Sequence, residues 1–235
     1  VLLALAARSL GAERVVAILG VSESLAASER TLAHDVAGAI GVQLVEVRTR
    51  ELASPAYRAN GPDRCFHCKT ELFERISDEV AGQHGLTAIA YGENADDVLR
   101  IDRPGSRAAT NHRVLRPLAD AGLTKADVRA VARGLRLAVA DKPAAPCLAS
   151  RIPHAIEVTA PKLRQIERAE AAVRALGFVE FRVRHHGVMA RLEVASEELP
   201  RAVELRDELV AGVSAAGFES VTIDPAGLQS GAFTT

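Results

Sequence analysis

The sequence predicts an α/β fold, a parallel sheet with helices on both faces, followed by a small α+β domain. Short apolar β-branched runs such as VVAILG alternate with amphipathic stretches, the pattern of crossover connections between parallel strands. After Arg151 the order becomes α-β-β-α-β, which suits a small two-layer unit. Of the 235 residues, 48% are hydrophobic and 25% charged, so disordered, collagenous and fibrous classes are excluded.

Leu2, Leu3, Leu5, Ala6 and Leu10 share one helical face, and Gly11 stops that helix. Val15–Gly20 reads as a buried strand, 28–40 as a helix and Val42–Thr49 as a second strand. A helix is expected over 70–84 with Thr70 as its N-cap, then strands at Thr87–Gly92 and 113–118. Thr124 caps a helix running to Gly134. In the second part a helix spans 160–176 and ends at Gly177. FVEFRVRHH and VMARLEVA form two strands joined around Gly187. A helix over 200–215 and a strand in FESVTIDP close the chain. The boundary is expected near Ile152–Pro153, giving domains 1–151 and 152–235. An opening helix with no preceding cap leads us to expect an upstream strand and loop.

Lys and Arg total 29 against 30 Asp and Glu, a net charge of −1, and a protein that grips nucleic-acid backbone carries a basic excess. Aromatics are 3% and Trp is absent, which argues against base-stacking platforms. The apolar N-terminal stretch is interrupted by Arg8, Glu13 and Arg14 and is too short and charged to span a bilayer. Three cysteines cannot all pair and no signal peptide is visible, so a soluble cytoplasmic protein is expected.

Cys65 and Cys68 form C-x-x-C in GPDRCFHCKTELF, and Cys147 follows in DKPAAPCLASRIP. Two thiols at this spacing can point at one ion or cluster, and a third can arrive from a distant loop. Three thiolates leave one metal position open, which suits an iron–sulfur cluster better than a closed zinc site. His67 keeps zinc open as a reading, and a reduced surface pair beside one buried cysteine is the plain alternative. Arg64 and Lys69 flank the pair, and Lys142 and Arg151 lie near Cys147, settings that favour reactive sulfur.

YGENADD places Glu93, Asp96 and Asp97 at the carboxyl end of an apolar run, where clustered carboxylates hold Mg²⁺ against nucleotide phosphates. The competing reading is a helix start, with Asn94 as cap and the acids favouring the dipole. Arg182 and Arg184 share one face of a strand and can clamp a phosphate or carboxylate, or can simply face solvent. His185 and His186 mark a turn. In VTIDPAGLQSGAF, Gly227 and Gly231 permit close backbone approach, so this tail either lines a site or caps the small domain.

Together RCFHCK, YGENADD, DKPAAPCLASRIP, RVRHHG with ARLEV, and VTIDPAGLQSGAF make the whole chain resemble the LarE family, ATP-dependent sulfur transferases of the PP-loop pyrophosphatase superfamily. The resemblance implies adenylation of a carboxylate of pyridinium-3,5-biscarboxylic acid mononucleotide, with pyrophosphate release, and conversion to a thiocarboxylate for the nickel-pincer nucleotide cofactor. It implies ATP and Mg²⁺, with Glu93, Asp96 and Asp97 aiding the metal. Cys65, Cys68 and Cys147 match the subtype whose three cysteines hold a [4Fe-4S] cluster carrying an extra sulfide. In the other subtype a single cysteine, here Cys147, gives up its own sulfur. Ser150, Arg151, Arg182 and Arg184, with Glu170, become candidates for gripping the substrate's carboxylate or phosphate. The resemblance also points to a homo-oligomer. The superfamily's phosphate-cradling S-G-G-x-D-S loop does not occur in these residues and is expected upstream. Rival readings are a tRNA thiolase of the same superfamily, an ATP-dependent amide-forming ligase, and a nucleotide-binding module with structural zinc.

Overall fold

In the computed structural model, which describes residues 1–99 and 104–228, the chain divides into two units. The first comprises Val1–Tyr57 and Asp63–Ala144, and the second Arg58–Pro62 and Ala145 onward. Gly231 of the tail motif lies outside the described residues.

In the first unit, helix α1 (Leu2–Leu10) ends at Gly11 and leads into β1 (Val16–Val21). Helix α2 (Ala27–Ile40) crosses back to β2 (Gln43–Arg48), which pairs parallel with β1 from Val16↔Gln43 to Val21↔Arg48. Parallel neighbours need such a crossover. Gly41, at φ 80°, ends α2 in the left-handed conformation that glycine adopts without steric cost. Then follow α3 (Pro55–Arg58), α4 (Arg64–Arg75), a π-helical stretch over Ile76–Ala81, α5 (Ala95–Val98), α6 (Pro104–Asn111), α7 (Pro117–Asp120) and α8 (Lys125–Gly134). Helices α4 and α6 pack together, burying Phe73, Ile76, Ala108, Ala109 and Val114 against Ile18, Leu72 and Ile89. Thr124 caps α8 as expected, its hydroxyl accepting from Asp127 N at 3.2 Å in a reciprocal capping box.

Three expectations for this unit are corrected. The helix placed over 70–84 begins at Arg64 with Asp63 as N-cap, so the C-x-x-C pair sits inside its first turns and Thr70 lies in its interior. The Thr87–Gly92 and 113–118 strands reduce to one parallel bridge, Ala90↔Leu115, carried by Tyr91 N→Leu115 O (3.0 Å) and Leu115 N→Ile89 O (2.8 Å). Arg113, at φ 54°, and Pro117, opening α7, bracket Leu115 and leave no length for a longer ladder.

In the second unit, a 3₁₀ turn over Leu148–Arg151 precedes α9 (Ala160–Ala175), β3 (Phe181–His186), β4 (Met189–Val194), α10 (Leu199–Glu204), α11 (Arg206–Ser214) and β5 (Ser220–Ile223). The sheet order is β3-β4-β5, antiparallel then parallel. Gly187, at φ 72°, makes the tight β3–β4 turn possible. Phe181, Val183, Leu192 and Val194 bury one sheet face against Ala169 and Val173 of α9 and Leu209 and Val213 of α11. The single helix expected over 200–215 is two, because Leu205 leaves helical geometry between them.

Among the described residues, no helix is long and apolar enough to cross a membrane.

Candidate functional site

The sequence-selected residues fall into both units. In the first, Cys65 is the second residue of α4 and Cys68 the fifth, so an i, i+3 spacing puts both thiols on one helix face. Cys65 is exposed and Cys68 half-buried, and none of the three cysteines forms a disulfide. The positive end of the α4 dipole lies beneath Cys65 and favours negative charge there. His67 Nε2 meets Asp63 Oδ2 at 3.1 Å, which ties the imidazole to the helix N-cap.

One helical turn on, Lys69 Nζ stands 4.2 Å from the centre of the Tyr91 ring. Tyr91 and Glu93 follow the Ala90–Leu115 bridge, and Glu93 is buried at 3% exposure. Ser106 Oγ donates to Glu93 Oε1, and Arg116 Nη1 lies 3.7 Å from Oε2. Burial alone would raise the Glu93 carboxyl. The Ser106 bond, the adjacent Tyr91 and the charges of Lys69 and Arg116 bring it below its ordinary value. Tyr91 is driven the other way, first by burial and then by the facing carboxylate. Tyr91 Oη and Glu93 Oε2 are both buried, and neither makes a hydrogen bond of regular geometry.

Asp97 and Asp96 work at helix starts. Asn94 Oδ1 accepts from Asp97 N at 3.1 Å while Asp97 Oδ2 faces Asn94 N at 3.4 Å, a capping box for α5. Asp96 Oδ2 accepts from Lys125 N at 2.8 Å, the first residue of α8. The helix-start reading of YGENADD therefore describes what these two aspartates do. With Glu93 compensated by two cations and the aspartates engaged as caps, the three carboxylates do not fit a resident Mg²⁺ site. A cavity of about 300 Å³ beneath α2 is lined by Leu3, Leu19, Leu32 and Val36, with the Lys142–Glu29 pair (2.9 Å) beside them.

In the second unit, exposed Cys147 opens the turn Leu148–Arg151. Arg151 turns inward to Glu170, with Nε–Oε1 at 2.8 Å and Nη2–Oε2 at 3.0 Å. Helix α9 buries Leu163, Ile166, Ala169, Glu170 and Val173, so Glu170 sits within the apolar stripe. Arg184 Nε donates to Glu193 Oε2 at 2.9 Å, and Arg184 Nη1 donates to Ser150 O at 3.1 Å. Arg191 Nη2 reaches the other Glu193 oxygen at 3.0 Å. Burial, then the neighbouring Arg151 guanidinium, holds Arg182 below the usual arginine range, and Arg184 adds to this. The sheet face carrying Arg182, Arg184 and Arg191 is therefore rich in positive charge, moderated by Glu193 and by Asp224, 3.4 Å from Arg191 Nε.

The structure thus gathers Ser150, Arg151, Glu170, Arg182 and Arg184 around the Cys147 turn, and it sets Cys65 and Cys68 on one helix of the other unit. Glu193 was missed by sequence reasoning. Its signal is register, since it lies directly across from Arg182 and two residues along, on the same face, from the Arg184↔Arg191 pair. Within neither unit do three His, Cys, Asp or Glu side chains converge as a metal site, among the described residues. The thiol pair nevertheless has the donor chemistry an iron–sulfur cluster requires: reduced, close in register and seated at a helix N-terminus.

No family model matches the chain. It is 39% identical over 221 residues to the uncharacterized protein slr1717 of Synechocystis, covering 93% of this chain and 82% of that protein. It is 29% identical over 222 residues to the pyridinium-3,5-bisthiocarboxylic acid mononucleotide synthase of Lactiplantibacillus plantarum, covering 94% and 80%. An uncharacterized protein of Methanocaldococcus jannaschii, MJ0830, is 28% identical over 165 residues, covering 70% and 64%.

Proposed function

We propose that the chain is a member of the LarE family and an ATP-dependent sulfur transferase acting on pyridinium-3,5-biscarboxylic acid mononucleotide, a reading supported by its 29% identity over 222 residues to a pyridinium-3,5-bisthiocarboxylic acid mononucleotide synthase. ATP would adenylate a substrate carboxylate with loss of pyrophosphate, and a sulfur nucleophile would then displace AMP to leave a thiocarboxylate. The observation that carries this reading is an exposed Cys147 beside an arginine-rich face, in a chain alike over 94% of its length to a synthase of a bisthiocarboxylic acid product.

Adenylation matters because carboxylate oxygen is a poor leaving group and AMP a good one. Mg²⁺ would enter with the ATP phosphates and offset charge on the departing pyrophosphate. Arg182 and Arg184, with Ser150 beside them, would grip the substrate's carboxylate or phosphate. An anion there would relieve the mutual repulsion that now disfavours charge on Arg182. Cys65, Cys68 and Cys147 would hold a [4Fe-4S] cluster, which when bound supplies a transferable sulfide at the iron that lacks a protein thiolate. A cytoplasmic homo-oligomer completes the reading.

Anaerobic purification of the natural full-length protein, with iron and labile-sulfide analysis, tests it. The expected result is about four iron atoms per chain, with matching sulfide. Replacing Cys65 or Cys68 by Ala is expected to abolish thiocarboxylate formation while pyrophosphate release persists. Transfer that survives both changes and consumes Cys147 once per chain would instead establish sacrifice of that sulfur. A single zinc and no ATP consumption would overturn the enzyme reading.

A further inference from the structure

Arginine carries five N–H donors in a rigid fork, and the structure accounts for where those of Arg151 go. Nε and Nη2 engage the two Glu170 oxygens at 2.8 and 3.0 Å. Nη1 reaches back into its own turn, to Pro146 O at 2.6 Å, Cys147 O at 3.1 Å and Ser150 Oγ at 2.9 Å. The side chains of Arg151 and Glu170 are only 5% and 4% exposed. A guanidinium this buried and this engaged has little left with which to bind a substrate anion.

Glu170 does more than neutralise it. Oε1 also accepts from Val183 N at 3.1 Å, a backbone donor on the outer strand β3. From the sheet side Arg184, held by Glu193, donates to Ser150 O. The turn is therefore pinned at the Pro146 and Cys147 carbonyls by one arginine and at the Ser150 carbonyl by another. Its own backbone bonds include Ser150 N→Cys147 O at 2.9 Å and Ile152 N→Ala149 O at 3.2 Å.

We propose that Arg151 and Glu170 are positioning residues, a buried pair that fixes the backbone from which Cys147 presents its sulfur, rather than ligands of the substrate. The proposal rests on the reading that Cys147 takes part in sulfur transfer. Such transfer depends on near-attack alignment, so a turn that wanders slows the sulfur step without weakening substrate binding.

Arg151→Lys in the full chain tests this, since lysine keeps the charge but cannot span both Glu170 oxygens and the turn carbonyls. Three quantities are read: hydrogen exchange at the Ser150 and Ile152 amides, the KM for the pyridinium mononucleotide, and the rates of thiocarboxylate formation and pyrophosphate release. We expect exchange to quicken about tenfold and thiocarboxylate formation to slow about tenfold, the scale of one charge-assisted hydrogen bond. KM and pyrophosphate release stay at wild-type values. A KM raised about tenfold with unchanged exchange would make Arg151 a substrate ligand and overturn the proposal. Should the lysine variant not fold, the double change Arg151→Met with Glu170→Leu removes both charges together while filling the volume. Wild-type exchange and transfer in that variant would equally overturn the proposal. If the unaltered protein makes no thiocarboxylate, the functional reading fails on its own, and the exchange measurement still decides whether the pair holds the turn.

Discussion

The side-chain amide of Asn60 donates to Pro153 O at 2.8 Å, and also to Ile156 O at 3.0 Å and Ile152 O at 3.2 Å. Asn60 is fully buried with φ at 56°. Five residues that lie far from the C-terminal half in sequence, Arg58–Pro62, are thereby built into the second unit.

Two substitutions separate the amide from the backbone at this position. Asn60→Gly keeps the left-handed conformation and strips three carbonyls of their donor, and a loss of about 1–3 kcal/mol is expected in urea denaturation. Asn60→Ala should cost about 1 kcal/mol more, because a Cβ is disfavoured at positive φ. A glycine variant as stable as the wild type would show that those carbonyls do not need Asn60.

Glu193 is 1% exposed and answers two arginines at once. Glu193→Leu should destabilise the protein by about 3–5 kcal/mol, the scale for stripping a buried charge of its partner. Adding Arg184→Met to that variant should recover most of the loss in thermal melts. A single variant that melts with the wild type would mean that Arg184 is solvated in the folded state.

Acid should weaken the protein through two imidazoles. Burial, then the charge of Lys162, lowers His185, while burial, then Arg191, lowers His186, both from an ordinary 6.5. As pH falls below about 6.5 the unfolded chain takes up protons that the folded form resists, so stability is full above that pH and declines beneath it. Thermal midpoints measured across this range should fall on acidification, and His185→Gln should flatten the slope. A profile as steep in the glutamine variant would assign the pH dependence to other groups.

Asp96 distinguishes a cap from a magnesium ligand. Asp96→Ala should lower stability by about 1 kcal/mol, and Asp96→Asn should restore it, because an amide oxygen accepts the same bond from Lys125 N. ATP consumption in the asparagine variant should follow its stability. Loss of consumption in a fully stable Asp96→Asn protein would make the carboxylate a metal contact.

What the chain discloses before folding is uneven, for physical reasons. Helix α8 and α9, and the hairpin around Gly187, are readable because caps, periodicity and turn residues agree locally. The start of α4 is not, since RCFHCK has no apolar period and its capping residue, Asp63, spends its carboxylate on His67 rather than on the helix. The Thr87–Gly92 run has strand composition, but its ladder length depends on what Arg113 and Pro117 do to its neighbour. At the candidate site, residue types were legible and their partners were not. Arg151 and Glu170 both stand out in the sequence, yet only the fold turns them toward each other. Glu193 looks like an ordinary solvent-facing acid until the register sets it among arginines.

The three donors that converge on Glu170 come from a turn and a strand separated by a helix, which bears on how sequence could be exchanged among relatives. Transplanting the sulfur-bearing loop alone would bring Arg151 without Glu170 and leave a guanidinium stranded in the recipient's interior. A viable chimaera has to carry the segment from Pro146 through Val183 as one cassette.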